Sequence, residues 1–216
     1  MTTADTGSAT VTFDGESLTT DAVGRVAEPG TPVEVCPGAV AKVLRSRAML
    51  EDLVERDVPV HGVTTVRGGT GRTRIDTSEE AGLQTNLVRG HSAGVGPLFA
   101  EDEARAVMAA RLNTLAKGYS AVRPEILDRL ALYLNEGITP AIPEIGSLGA
   151  GGDLVPLSHL AGTLIGEGQV LRDGKRRETG KVLRELGITP LRLRFKEGRA
   201  LINGTSAMTG LGSLVV

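Results

Sequence analysis

"EIGSLGAGGDLVPLSH", residues 144–159, decides how the rest of the chain is read. Four glycines fall within residues 146–152, Asp153 follows, and Leu157, Leu160, Ala161 and Leu164 then recur at helical spacing. This predicts a loop of free backbone running into a helix that Asp153 caps. Just upstream, "ITPAIPEIG" predicts an extended loop, because neither proline sits comfortably in a helix interior.

Working outward, helical patterns dominate. Residues 123–136 predict a helix with Pro124 near its start and Gly137 just past its end. Residues 101–117 predict another, with acids in its first turn, Ala104, Val107, Met108, Leu112 and Leu115 on one stripe, and Lys117-Gly118 closing it. Pro37 opens a third that runs to about Arg56, with Val40, Val43, Leu44 and Ala48 on its apolar face. A short helix is expected over 179–186 and a further one beginning near Phe195.

The β signals are small. "VTFDGES", 11–17, predicts a strand or hairpin around Asp14-Gly15, and "VLRDGKRRE", 170–178, a hairpin turning at Asp173-Gly174. "VPVHGVTT", 58–65, reads as extended, and "RGGTGRTR", 67–74, as a loop. Residues 1–10 form a polar tail expected to be disordered, leaving 11–216 as a single, mainly α domain with small β-hairpin additions.

Composition narrows the partners. A net charge of −2 gives no electrostatic reason to expect nucleic acid or an anionic membrane. No apolar run approaches the roughly 20 residues of a membrane span, and the first residues show no secretory pattern. The single cysteine, Cys36, excludes an intrachain disulfide and fits a reducing cytoplasm. Aromatics make up only 2% of residues, so the core must be aliphatic, as packed helices allow. The closing stretch "NGTSAMTGLGSLVV", 203–216, rises in apolarity, and Leu211, Leu214, Val215 and Val216 are expected to lie at a contact, most simply a homodimer or larger homo-oligomer.

Residue by residue, the chemical signals are few. His61, His91 and His159 lack the acids or cysteines of a metal site, so no metal is expected. His61 and His159 read as structural, and His91, between small residues, as a structural histidine or a pocket wall. Arg67, Arg72 and Arg74 could clamp a carboxylate or phosphate, or belong to a solvated loop. No Gly-Lys-Ser/Thr follows them, so they form no P-loop. Ser147 and Ser158 have no His-Asp arrangement around them to suggest a hydrolase.

"GSLGAGGDLVPLSH" (146–159), "LQTNLVRGHSAGVGPLF" (83–99), "VRPEILDRLALYLNEGITPAIPEIGSLGA" (122–150) and "ALINGTS" (200–206) together resemble the histidine, phenylalanine and tyrosine ammonia-lyases and aminomutases. The likeness runs over about 11–216 and is greatest to bacterial tyrosine aminomutases of natural-product pathways. It implies the N-terminal domain of that fold, without the central long-helix bundle. In the family an Ala-Ser-Gly tripeptide cyclises into 4-methylideneimidazol-5-one (MIO), whose methylidene carbon comes from the serine. Here the loop reads Ala150-Gly151-Gly152-Asp153. Gly151 has no Cβ, so the expectation is no MIO, no other cofactor and a linear main chain.

The family's Thr-Thr-Gly-Tyr-Gly, whose tyrosine is a base, is here Thr64-Thr65-Val66-Arg67-Gly68, and arginine remains protonated. The resemblance also implies that His91 and Leu87 line the substrate pocket and that Asn203 lies near the electrophile. The expected function is therefore an MIO-independent reaction on a small molecule in the remnant pocket, with His91 and Arg67 as catalytic candidates and Leu87, Asn203, Arg72 and Arg74 as binding ones. The alternative is a non-catalytic accessory subunit that partners a full-length relative or another pathway protein.

Overall fold

A computed structural model describes residues 9–60, 63, 80–149 and 151–216. Residues 1–8 of the tail expected over 1–10, residues 61, 62, 64 and 65 of the extended segment 58–65, and the RGGTGRTR loop lie outside the described residues.

The core is organised by α4 (Glu101–Ala116). Glu101, Asp102 and Glu103 sit in its first turn, where carboxylates oppose the helix dipole, and Glu103 accepts the Ala100 N–H at 2.7 Å. The predicted stripe of Ala104, Val107, Met108, Leu112 and Leu115 is buried, but so is every residue from Ala104 to Leu112. The helix is enclosed all round because Ala104, Ala106, Ala109 and Ala110 let neighbours approach closely. Those neighbours are α1 (Thr20–Ala27), α2 (Pro37–Glu55), α5 (Pro124–Asn135) and α9 (Ser206–Ser213).

Two arginines of α4 are enclosed with it. Arg105 donates through Nε to Val26 O at 3.0 Å and Ala27 O at 3.1 Å, and through Nη1 to Leu134 O at 3.1 Å. One guanidinium thus satisfies carbonyls at the C-terminal ends of both α1 and α5, which have no partner within their own helices.

β1 (Val11–Phe13) is a strand, but its partner is not across a hairpin. It pairs in parallel with β2 (Val33–Val35), Val11 opposite Val33, with α1 as the crossover between them. Asp14 instead closes a turn by accepting from the Glu16 and Ser17 N–H groups at 2.7 and 2.8 Å. Those bonds favour its charged form and hold its carboxyl down at about 2.

The inner face of α2 also differs from expectation. Ala39, Val43, Arg47 and Leu50 point inward, while Leu44 is 51% exposed and Arg47 only 4%. Arg47 donates to Phe195 O at 3.0 Å and Ala121 O at 3.3 Å, so the polar residue takes the buried place.

α3 (Glu80–His91), α6 (Leu154–Leu164) and α8 (Glu197–Ile202) pack on one another beside this core. The ends of ITPAIPEIG form two short strands: β4 (Thr139–Pro140) and β5 (Pro143–Ile145). β5 pairs antiparallel with β3 (Val95–Leu98), and β4 with β6 (Gln169–Arg172). β6 and β7 (Lys175–Glu178) form the predicted hairpin, with Asp173 and Gly174 both at positive φ as a two-residue turn requires. α7 (Thr179–Glu185) follows.

At the end of the chain, Leu211 and Leu214 are partly buried against their own domain, whereas Val215 and Val216 are exposed. The expectation that all four await another chain is corrected for the two leucines, which α9 turns back toward α4 and α1.

Candidate functional site

β5 leads straight into the glycine loop, and α6 leaves it. Inside the loop, Leu148 donates its N–H to Gly152 O at 3.1 Å and Gly152 donates to Gly149 O at 2.5 Å. Ser147 Oγ accepts the Gly149 N–H at 3.1 Å and donates to Asp153 Oδ1 at 2.5 Å. Ser147 is therefore the internal strut of the loop. The glycines serve two distinct needs. Gly151 holds φ +81° with nothing within 4 Å of where a Cβ would stand. At Gly152 a Cβ would lie 2.6 Å from Leu148 Cβ, so only glycine fits without movement.

Asp153 occupies the N-cap position of α6 but makes no side-chain capping bond there. Its fully buried carboxylate instead accepts the Met208 N–H at 2.9 Å, in the first turn of α9. The predicted cap thus serves a different helix, since Ser147 and Met208 already engage its two oxygens.

Behind the loop stands Arg111 of α4, fully buried. It donates to Asn203 O at 2.9 Å, to Ser206 Oγ at 3.3 Å and to Ala200 O. Burial pulls its guanidinium down to about 10, opposed by attraction to Asp153, and leaves it charged at neutral pH. Sequence reasoning passed over this residue. The available signal was an arginine in an apolar helix with Val107 and Leu115 at i−4 and i+4, hence no acidic partner on its own helix.

Asn203 ends α8, with its carbonyl held by Arg111 and its side chain exposed. His91 ends α3, half-buried, with Nδ1 2.8 Å from Leu87 O. A carbonyl only accepts, so Nδ1 carries a proton and Nε2 is the ring nitrogen left for other partners. Leu87 leans on the main core. The packing of α3, α6 and α8 brings His91, the loop and Asn203 onto neighbouring elements, with no hydrogen bond joining the three among the described residues. Arg67, Arg72, Arg74 and Ala150 lie outside the described residues. Among those described, no group of three or more His, Cys, Asp or Glu is placed to hold a metal, and no helix is long and apolar enough to cross a membrane.

This mainly α domain, with its glycine loop leading into a buried Asp, has the fold of solved ammonia-lyases and aminomutases. The model of the family described as aromatic amino acid lyase matches residues 18–216, and the chain belongs to that family. It is 66% identical over 216 residues to the MIO-dependent tyrosine 2,3-aminomutase of Streptomyces globisporus, covering all of this chain and 40% of that protein. The crystal structure of tyrosine aminomutase from that organism superposes with a TM-score of 0.90 over 96% of this chain and 39% of that one. It is also 53% identical over 205 residues to the tyrosine ammonia-lyase of Cupriavidus metallidurans, over 94% of this chain and 38% of that protein. The chain thus spans about 40% of the length of the curated relatives it matches.

Proposed function

We propose that this chain handles an aromatic amino acid or a close derivative, tyrosine foremost, in its family's pocket without an MIO electrophile. Gly151 carries the reading. The exocyclic carbon of a methylideneimidazolone must come from a side chain, and position 151 has no Cβ to supply one. The loop therefore does not fit the group in the relative's name. Asp153, Ser147 and Arg111 support a loop of fixed shape. His91, with Nδ1 engaged by Leu87 O, offers Nε2 for proton transfer. Arg67 would bind an acidic group and not act as a base. A reducing compartment, a natural-product pathway and a homo-oligomer belong to the same reading.

A second reading, a non-catalytic accessory subunit, is favoured by one observation. Val95, Ile145, Met208 and Leu148, the last 91% exposed, present an apolar surface around the loop, as interaction faces do.

Incubation with tyrosine, phenylalanine or histidine is expected to give no cinnamate-type product and no β-amino acid. Tyrosine is expected to shift the His91 ring resonances in NMR titration. Product above a no-protein control overturns the proposal, and unperturbed His91 resonances turn it toward the accessory reading. Gly151→Ser is expected to fold, at a cost of about 1–2 kcal/mol for a side chain at positive φ. It is expected to gain no lyase activity, because Arg67 still stands where the family has its base. Thermal melting with the same product assay checks both points.

A further inference from the structure

His159 lies on the second turn of α6, half-buried, and its Nε2 is 3.1 Å from the Gly94 backbone nitrogen. A backbone N–H only donates, so Nε2 must accept, and the ring must be neutral with its proton on Nδ1. Gly94 belongs to the turn joining His91 to β3. The Ser92 N–H bonds to Arg89 O at 3.2 Å and the Ala93 N–H to His91 O at 2.8 Å. β3 pairs with β5, and β5 runs into the glycine loop from which α6 itself emerges. The single Gly94–His159 bond therefore closes a ring of contacts from His91, through the sheet and the loop, back to α6.

We propose that His159 is the positioning residue of the candidate site: its neutral imidazole, by accepting the Gly94 N–H, fixes the turn that presents His91 beside the glycine loop, and protonation frees that turn. A proton on Nε2 sets two donors face to face where one hydrogen bond stood. The consequence for ligand rests on the reading of His91 as a pocket wall; the clamp itself does not.

The surroundings favour the neutral ring. Burial pulls the imidazole below its ordinary range, and no charge contributes to that shift. Arg89 of α3 and Glu167, which share a cleft with His159, are tied to each other at 2.5–3.1 Å. The other titratable groups with described side chains on elements packed against α6 are His91 on α3, exposed Glu144 on β5, and Glu197 and Arg199 on α8; β4 and α9 carry none. The folded state holds its proton less tightly than the unfolded chain. The clamp is thus complete above the unfolded value of about 6.5 and is lost as pH falls below it, through the lower folded value.

The test is amide exchange by 15N NMR on the intact chain. The Gly94 protection factor is expected to fall about fivefold or more between pH 7.5 and pH 5, the worth of one net hydrogen bond. In His159→Gln, whose amide oxygen accepts but does not titrate, it is expected to stay within about twofold. A pH-independent Gly94 in the wild type overturns the proposal, as does an equal loss in the Gln variant, which would place the titration on His91. Long-range 15N–1H spectra of the wild type give a second arm that does not need the variant to fold. They are expected to show His159 Nε2 unprotonated at pH 7.5, and a protonated Nε2 there overturns the clamp. Tyrosine affinity is expected to weaken over the same pH interval. No tyrosine binding at either pH, with Gly94 behaving as expected, overturns the functional reading and leaves the clamp in place.

Discussion

Replacing Glu197 by Ala is expected to lower the melting temperature by about 10 °C, from a loss of about 3 kcal/mol. Glu197 begins α8 and is fully buried. Its carboxylate accepts from the Arg123 N–H at 3.0 Å, from Arg123 Nε at 2.9 Å and Nη2 at 3.0 Å, and from the Arg194 N–H at 2.7 Å. Truncation strips an acceptor from two backbone donors and takes from the Arg123 guanidinium its buried counter-charge, while the more distant Glu125 stays at 3.8 Å. Arg123 keeps a quarter of its side chain in solvent and still reaches Arg192 O at 2.8 Å, which holds the loss at the lower end for a buried pair. Glu197→Gln is expected to lose about half as much, since it keeps an acceptor of the same shape. Thermal melts by circular dichroism decide the matter, and an Ala variant within 2 °C of wild type contradicts it (about 1 kcal/mol).

Gly210→Val should be comparably damaging, by a different route. Gly210 sits in the middle of α9, where that helix crosses α4. A Cβ there would lie 2.7 Å from Ala106 C, Ala106 O and Val107 N. All three are backbone atoms and cannot rotate aside, so the helices must separate. Overpacking of this kind costs about 3 kcal/mol, and Val adds its poor helix propensity. Because α9 also receives the Asp153 carboxylate at Met208, separation should loosen the glycine loop as well. Melting together with amide protection of Leu148 and Gly152 would register both effects. A variant with wild-type melting would show that the crossing has slack.

How far the sequence revealed this structure depended on whether the cause was local. The helices around Leu130, Leu112 and Leu160 follow apolar periodicity, and the turn at Asp173-Gly174 follows from backbone chemistry within two residues. The pairing of β1 with β2 was hidden because a parallel partner lies beyond a whole helix. The inner face of α2 was misplaced because Arg47 reads as a surface residue, while its partners, Ala121 O and Phe195 O, are 74 and 148 residues away. Asp153 illustrates both cases. Its place at a helix start was legible, and its bond to a residue 55 positions later was not. At the site, the glycine at 151 was plain in the letters, whereas Arg111 and His159 acquire meaning only through backbone atoms distant in sequence.

At Gly151 the glycine loop faces open space, while Gly152 is wedged against Leu148 and Ser147 is tied to Asp153. Substitution at position 151 therefore meets no neighbouring atom, and its cost of about 1–2 kcal/mol lies in the residue's own backbone at φ +81°. At Gly152 a side chain also collides with Leu148, and Asp153 is held through both carboxylate oxygens, so those two positions answer to their neighbours while position 151 answers to its own φ. The frame of the loop and the residue at position 151 are thus set by separate constraints, the first by contacts with Leu148, Ser147 and Asp153 and the second by backbone conformation alone.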